Sequence, residues 1–145
     1  MCAVAGAKNP NDVAEMLQTM KHRAPDGINQ IYDGKFCVGM GRLSIIDLVS
    51  SDLFPFQERN LVLSFNGEIF NYVELREELQ KHGHIFRTNS DTEVLLKSWK
   101  QWGPAALQKL NGMFAFALYD GSTITLARDI AGEKPLYFRR KDFAF

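Results

Sequence analysis

The chain has 145 residues, 46% of them hydrophobic, which fits one globular domain able to bury a core. Seventeen basic residues balance seventeen acidic ones, so no global field draws the protein to nucleic acid or an anionic membrane, and a small or neutral ligand is expected. No apolar run approaches the roughly 20 residues of a membrane span, and the first residues lack a signal-peptide layout; a cytoplasmic protein is expected.

Ala3-Val4-Ala5 reads as a short buried strand. Asn9-Pro10 then offers a helix N-cap with proline at the first helical position, and Val13, Met16, Leu17 and Met20 form one apolar stripe that should end at Ala24-Pro25. Strand texture follows: Gln30-Ile31-Tyr32 and Lys35-Phe36-Cys37-Val38 flank an Asp33-Gly34 turn. Leu61 to Phe65 has the apolar, β-branched character of a central strand, with Asn66-Gly67 interrupting it as a local turn signal.

Tyr72, Leu75 and Leu79 recur at helical spacing, Glu77 and Lys81 stand four apart, and Gly83 suits the residue after the helix end. Ser90-Asp91-Thr92-Glu93 has the capping-box pattern, and Val94, Leu95, Trp99 and Trp102 carry an apolar face up to Gly103-Pro104. Met113 to Leu118 and Thr123 to Leu126 flank Asp120-Gly121 as a hairpin, and Pro135–Phe138 and Asp142–Phe145 read as two more strands around a basic turn. The last has no terminating signal, so the domain is expected to be incomplete at its C-terminus. Strands in two groups with helices between them favour an α+β fold over a doubly wound parallel sheet.

Few residues carry obvious chemistry singly. Cys2 and Cys37 are too few for a disulfide framework, and Cys37, between Phe36 and Val38, reads as a buried small hydrophobe. His22, His82 and His84 match no zinc spacing, no metal site is expected, and there is no Gly-rich phosphate loop ending in Gly-Lys-Ser/Thr.

The ordered set is more specific. Met1-Cys2-Ala3-Val4-Ala5-Gly6, His22-Arg23-Ala24-Pro25-Asp26-Gly27, Gly41-Arg42-Leu43-Ser44-Ile45-Ile46-Asp47, Phe65-Asn66-Gly67-Glu68-Ile69-Phe70-Asn71-Tyr72 and Thr88-Asn89-Ser90-Asp91-Thr92-Glu93 occur in that order. Gly112 to Ala117, Ala127-Arg128-Asp129 and Lys134-Pro135-Leu136-Tyr137-Phe138 extend the set along residues 1–145. Together they resemble the class II glutamine amidotransferases, nearest the glutaminase domain of glutamine-dependent asparagine synthetases. The resemblance implies a four-layer αββα N-terminal-nucleophile sandwich of two antiparallel sheets. It also implies a synthetase domain beyond this segment, where ATP and Mg2+ would bind; no cofactor is expected within the segment, and a homodimer is admitted.

An N-terminal cysteine carries its own base, because an α-amine near pKa 7.7–8.0 and a thiol near 8.5 both titrate about neutrality. Once Met1 is removed, the Cys2 amine can take the thiol proton, and the thiolate can attack the side-chain amide of L-glutamine. Asn66 and Gly67 would supply the oxyanion donors, by side-chain amide and backbone N–H. Arg42 suits the α-carboxylate of glutamine. By resemblance Asp91 takes the α-ammonium, Glu68 assists, and Leu43 and Ile45 contribute backbone contacts. Asp91 also has a purely structural reading, as an acidic residue in the first turn of a helix.

Three departures from the resemblance stand out. Ala3 and Ala24 stand where many relatives have glycine, with the Ala3 methyl expected to narrow the pocket or adjust the backbone beside Cys2, and Leu53-Phe54-Pro55-Phe56 replaces a Gln-Pro-containing run. Two rival readings remain: an inactive binding or scaffold domain of the same fold, and a glutaminase serving a different acceptor.

Overall fold

Alternate residues of the first strand, Ala3, Ala5 and Ala7, are buried against Val13 and Leu17 of the first helix, the pattern of a strand with one face under a helix. The structure is a computed structural model that describes residues 1–46 and 54–145; Asp47 and Leu53 lie outside the described residues. Strand β1 (Ala3–Ala7) is followed by α1 (Pro10–Thr19), β2 (Ile28–Tyr32) and β3 (Cys37–Gly41). Next come β4 (Phe56–Glu58), β5 (Leu61–Ile69), α2 (Tyr72–Lys81) and α3 (Asp91–Trp102), and the last strands are β6 (Gly112–Tyr119) and β7 (Ile124–Arg128).

The strands form two antiparallel sheets, ordered β1-β3-β2 and β4-β5-β6-β7. Helix α1 packs on the first sheet; Leu75 and Leu79 of α2 and Val94, Leu95 and Leu96 of α3 pack on Leu63, Phe65, Phe114 and Phe116 of the second. Between the sheets lie Val38, Val62, Ala117 and Tyr119, and the buried Ser64 hydroxyl donates across the gap to Gly39 O at 2.8 Å. The result is the expected α+β arrangement of four layers, αββα. It places the start of β1, the end of β3 and the middle of β5 at one end of the sandwich.

Local chemistry explains most element ends. Asn9 Oδ1 accepts the Asn11 N–H at 3.0 Å and caps α1. The α-helix stops at Thr19, and a 3-10 turn over Lys21–Arg23 carries the chain to Ala24, later than the helix end and close to the expected boundary. Helix α2 ends with Gly83 N–H on Gln80 O and His84 N–H on Leu79 O, the paired bonds of a Schellman stop. Expected Glu77–Lys81 pairing is replaced by Glu78–Lys109 at 2.8 Å, since no ion pair of Glu77 occurs among the described residues.

Three expectations are corrected, and the place of Ala3 is made specific. Asn66-Gly67 makes no turn: β5 runs through it, with Asn66 opposite Ala115 and Gly67 opposite Phe114. Pro135–Phe138 forms no strand, and Asp142–Phe145 contributes only the bridges of Ala144 to Arg139 and to Ala7, with Phe145 exchanging backbone bonds with Gly6. The capping box is half made: Ser90 Oγ accepts the Glu93 N–H at 3.3 Å, but the Glu93 carboxylate turns to Arg87 N, Thr88 N and the Thr88 hydroxyl. Ala3 lines the larger, more apolar cavity beside Cys2 and Asn66 and not the small polar one described below, and its buried methyl and that of Ala24 lie toward Gly41, where there is no side chain to obstruct them.

Candidate active site

Cys2 leads into β1 and is half-buried. The Leu43 N–H donates to its Sγ at 3.4 Å, and Sγ lies 3.5 Å from Leu43 O. Burial pushes the Cys2 thiol up from its ordinary value, while the Leu43 N–H, the chain's N-terminal charge and Arg42 pull it down. Arg23 Nε donates to Cys2 O at 3.2 Å and fixes the backbone at Cys2. Cys37, by contrast, is sealed in the core, where burial lifts its thiol to about 11, as expected for a packing cysteine.

Arg42 follows the last residue of β3. Its backbone is tied to the preceding loop by Arg42 N–H to Gly27 O (2.9 Å) and Asp26 N–H to Arg42 O (3.1 Å), and its guanidinium lies 5.6 Å from the Phe54 ring centroid. Asp26 Oδ2 accepts the Ser44 N–H at 2.6 Å, so the 42–44 loop that reaches Cys2 is anchored at both ends.

Strand parity decides what β5 offers. Ser64 points to the first sheet, so Asn66 and Glu68, two and four residues on, share that face. Asn66 is 4% exposed and its side chain makes no hydrogen bond among the described residues. Backbone donors also alternate sides: Phe70 N–H bonds to Asn111 O toward β6, whereas Ile69 N–H bonds to Asp91 Oδ2 at 3.0 Å on the opposite side. Gly67 shares the side of Ile69, and β4 pairs only as far as Leu63. The Gly67 N–H is therefore directed away from β6, beyond the end of β4.

Asp91 is the first residue of α3 and only 6% exposed. Burial lifts its carboxyl to about 6, the Glu68 charge adds to the rise, and the N–H groups of Ile69 and Thr92 oppose it. Ser90 Oγ caps the helix, so the helix start and the site use different side chains.

One cavity of about 150 Å³ is lined by Cys2, Arg42, Leu43, Ile45, Asn66, Gly67, Glu68 and Asp91. Every residue singled out from the sequence thus meets in one place, with Ile45, 61% exposed, at the rim. The volume lies below the about 300–1,000 Å³ of sites for drug-sized ligands and suits a molecule the size of an amino acid. Met40, Ser90, Thr92, Met113 and Lys134 also line it and were not singled out. Lys134 had a signal, standing in a quoted motif, but nothing in its local sequence told a cavity wall from a surface. A second, more apolar cavity of about 430 Å³ shares Cys2 and Asn66 with the first. Among the described residues no group of His, Cys, Asp or Glu could hold a metal ion, and no helix is long and apolar enough to cross a membrane.

A family model described as a glutamine amidotransferase domain matches residues 1–145. Asparagine synthetase (glutamine-hydrolysing) 1 of Bacillus subtilis strain 168 is 39% identical over 95% of this chain and 24% of its own length. The corresponding asparagine synthetase of Sandersonia aurantiaca is 38% identical over 86% of this chain and 24% of its own length. The chain thus spans about a quarter of the length of these relatives. Among solved structures, glutamine phosphoribosylpyrophosphate amidotransferase from B. subtilis, complexed with ADP and GMP, superposes with a TM-score of 0.83 over 99% of this chain and 41% of that one, at 24% identity. That likeness bears out the N-terminal-nucleophile sandwich.

Proposed function

Because the chain belongs to the glutamine amidotransferase domain family, we propose that it hydrolyses L-glutamine to glutamate and ammonia through a Cys2 thioester. The observation that carries this reading is the convergence of Cys2, Asn66, Gly67, Arg42 and Asp91 on one small cavity. These come from separate parts of the sequence, and a scaffold domain has no need to keep a thiol, an unpaired buried amide and a split pair of charges together.

The Cys2 nitrogen is a peptide nitrogen while Met1 is attached, so removal of Met1 creates the base. The freed amine, in its neutral form, accepts the thiol proton, and the thiolate adds to the amide carbon. Asn66 Nδ2 and the Gly67 N–H donate to the resulting oxyanion. Collapse breaks the C–N bond, the ammonium returns its proton to the leaving nitrogen, and ammonia departs. Water, deprotonated by the same amine, then cleaves the thioester to glutamate. Arg42 holds the α-carboxylate through two parallel N–H bonds, Asp91 with Glu68 holds the α-ammonium, and Leu43 and Ile45 close the wall.

The relatives named as asparagine synthetases support a further step: the ammonia feeds an ATP-dependent synthetase domain that lies outside residues 1–145 and makes asparagine there, with ATP and Mg2+ bound in that domain. Residues 1–145 form the glutaminase domain, a cytoplasmic location follows from that activity, and an acceptor other than aspartate is the alternative. The test is ammonia release from glutamine by the full-length protein. Cys2→Ala should abolish it while glutamine still binds, and undiminished release by that variant would refute the thioester mechanism.

A further inference from the structure

Both peptide planes that flank Leu43 are held by one residue, Asp26. Its backbone N–H donates to Arg42 O at 3.1 Å, and its carboxylate Oδ2 accepts the Ser44 N–H at 2.6 Å. A planar trans peptide points its C=O and N–H in opposite directions, so each plane turns its other polar group away from Asp26. Those two groups, the Leu43 N–H and the Leu43 carbonyl oxygen, lie 3.4 and 3.5 Å from Cys2 Sγ. The thiol therefore rests against a residue whose two backbone torsions are fixed from behind by Asp26.

The local sequence explains why a side chain takes this part. The β2–β3 ladder ends with Ile28 opposite Gly41. One residue further, the Arg42 N–H still finds Gly27 O at 2.9 Å, and at Ser44 the acceptor is the Asp26 carboxylate in place of strand backbone. Gly27, at a φ of +129°, turns the chain between the two, a conformation in which a side chain would be strained. Arg23, from the same stretch, donates to Cys2 O at 3.2 Å, so the Cys2 backbone is tied to it as well. Burial raises the Cys2 thiol, and the Leu43 N–H is the first of the influences that oppose it. The Asp26 side chain is itself exposed and adds little to the core.

We propose that Asp26 is a positioning residue for the nucleophile: its carboxylate, acting through the Leu43–Ser44 peptide, keeps Cys2 Sγ in the place from which it attacks the glutamine amide. The assignment rests on the glutaminase reading above. The backbone bonds between residues 26–27 and Arg42 do not involve the Asp26 side chain, so its loss should fall on the attack and spare glutamine binding.

Ammonia release and inactivation by a glutamine-shaped chloroketone are measured on the full-length protein with Asp26→Ala, Asp26→Leu or Asp26→Asn, and glutamine affinity on the same changes in a Cys2→Ala background. The Ala and Leu variants should lower kcat and the inactivation rate together by about tenfold, short of the about hundredfold that a misplacement of about 1 Å costs, and leave affinity within about threefold. Asp26→Asn keeps a carbonyl oxygen for the Ser44 N–H and should recover most of both rates. Unchanged rates in Ala and Leu, a loss confined to affinity, or an Asn variant as slow as Ala overturns the assignment. So does loss of the cooperative melting transition in both Ala and Leu, which would make Asp26 a residue of the fold. A parent protein that neither releases ammonia nor reacts with the chloroketone would bring down the glutaminase reading itself, and the assignment with it.

Discussion

The Asp91 carboxylate accepts the Ile69 N–H at 3.0 Å, joining the first residue of α3 to the last residue of β5. The bond holds the proposed ammonium ligand against the strand that carries Asn66 and Gly67. Burial, with Glu68 nearby, lifts the Asp91 carboxyl from 3.8 to about 6. Two opposite pH dependences follow. The folded protein holds this proton more tightly than the unfolded chain, so the group's contribution to stability is full below the unfolded value and is lost as pH rises through about 6. If Asp91 holds the α-ammonium as proposed, glutamine binding needs the ionised carboxylate and should strengthen as pH rises through the same range. Glutamine affinity of Cys2→Ala should fall by up to about tenfold per pH unit on the acid side, and Asp91→Asn should flatten the profile while weakening binding throughout. A flat profile with Asp91 intact would remove Asp91 from the ligand contacts.

Arg42 makes a different prediction. Arg42→Ala should raise KM for glutamine by about tenfold to a hundredfold, the scale of a charge-assisted bidentate pair, with a smaller change in kcat. Arg42→Lys should recover only part of the loss, because an ammonium cannot make the two parallel bonds. Steady-state ammonia release measures both, and a drop confined to kcat would place Arg42 at the reacting carbonyl instead.

Glu93 is 0% exposed and accepts hydrogen bonds from the Arg87 N–H, the Thr88 N–H and the Thr88 hydroxyl, with Lys97 Nζ 3.9 Å away. Replacing it by Ala strands those donors at about 1–3 kcal/mol for each unsatisfied group. Chemical denaturation should show a loss of about 3 kcal/mol or more, and Glu93→Gln, which keeps an acceptor, should lose less. An Ala variant as stable as the parent would show that water replaces the carboxylate.

Much of this architecture was readable before any coordinates, and what escaped has identifiable causes. The apolar stripes of α1 and α3 and the short apolar run of β1 are local patterns, so the elements followed from them. Asn66-Gly67 misled because the pair is a turn signal by itself. Gly67 is instead required by close packing: a Cβ there would lie 2.2 Å from Met113 O and 2.6 Å from Phe114 Cα. Pro135–Phe138 has strand composition, but a strand needs a neighbour to pair with, and sequence does not say which backbone lies alongside. Lys134 escaped for a related reason, since its burial is created by the loop around Asp129 and by a cavity wall assembled from distant segments. Arg42 suggested itself by its chemistry and Asp91 through the family resemblance, whereas the distances between them were not legible.

The same packing gives Gly67→Ala a sharp expectation. The methyl must displace β6 backbone, so the variant should lose about 1–3 kcal/mol to overpacking and lose activity out of proportion to that, because the Gly67 N–H moves with it. Urea unfolding and ammonia release measured on one preparation separate the two effects. Full activity in a destabilised variant would place the oxyanion elsewhere.

The central claim is that Cys2, freed of Met1, is the nucleophile for glutamine. Its most direct test is intact-mass and peptide-level mass spectrometry of the full-length protein after exposure to a glutamine-shaped alkylator, with and without excess glutamine. One adduct on an N-terminal peptide that begins at Cys2, suppressed by glutamine, with Cys37 unmodified, is the predicted result. An unmodified Cys2, or a Cys2 still carrying Met1 in protein that releases ammonia, would contradict the account.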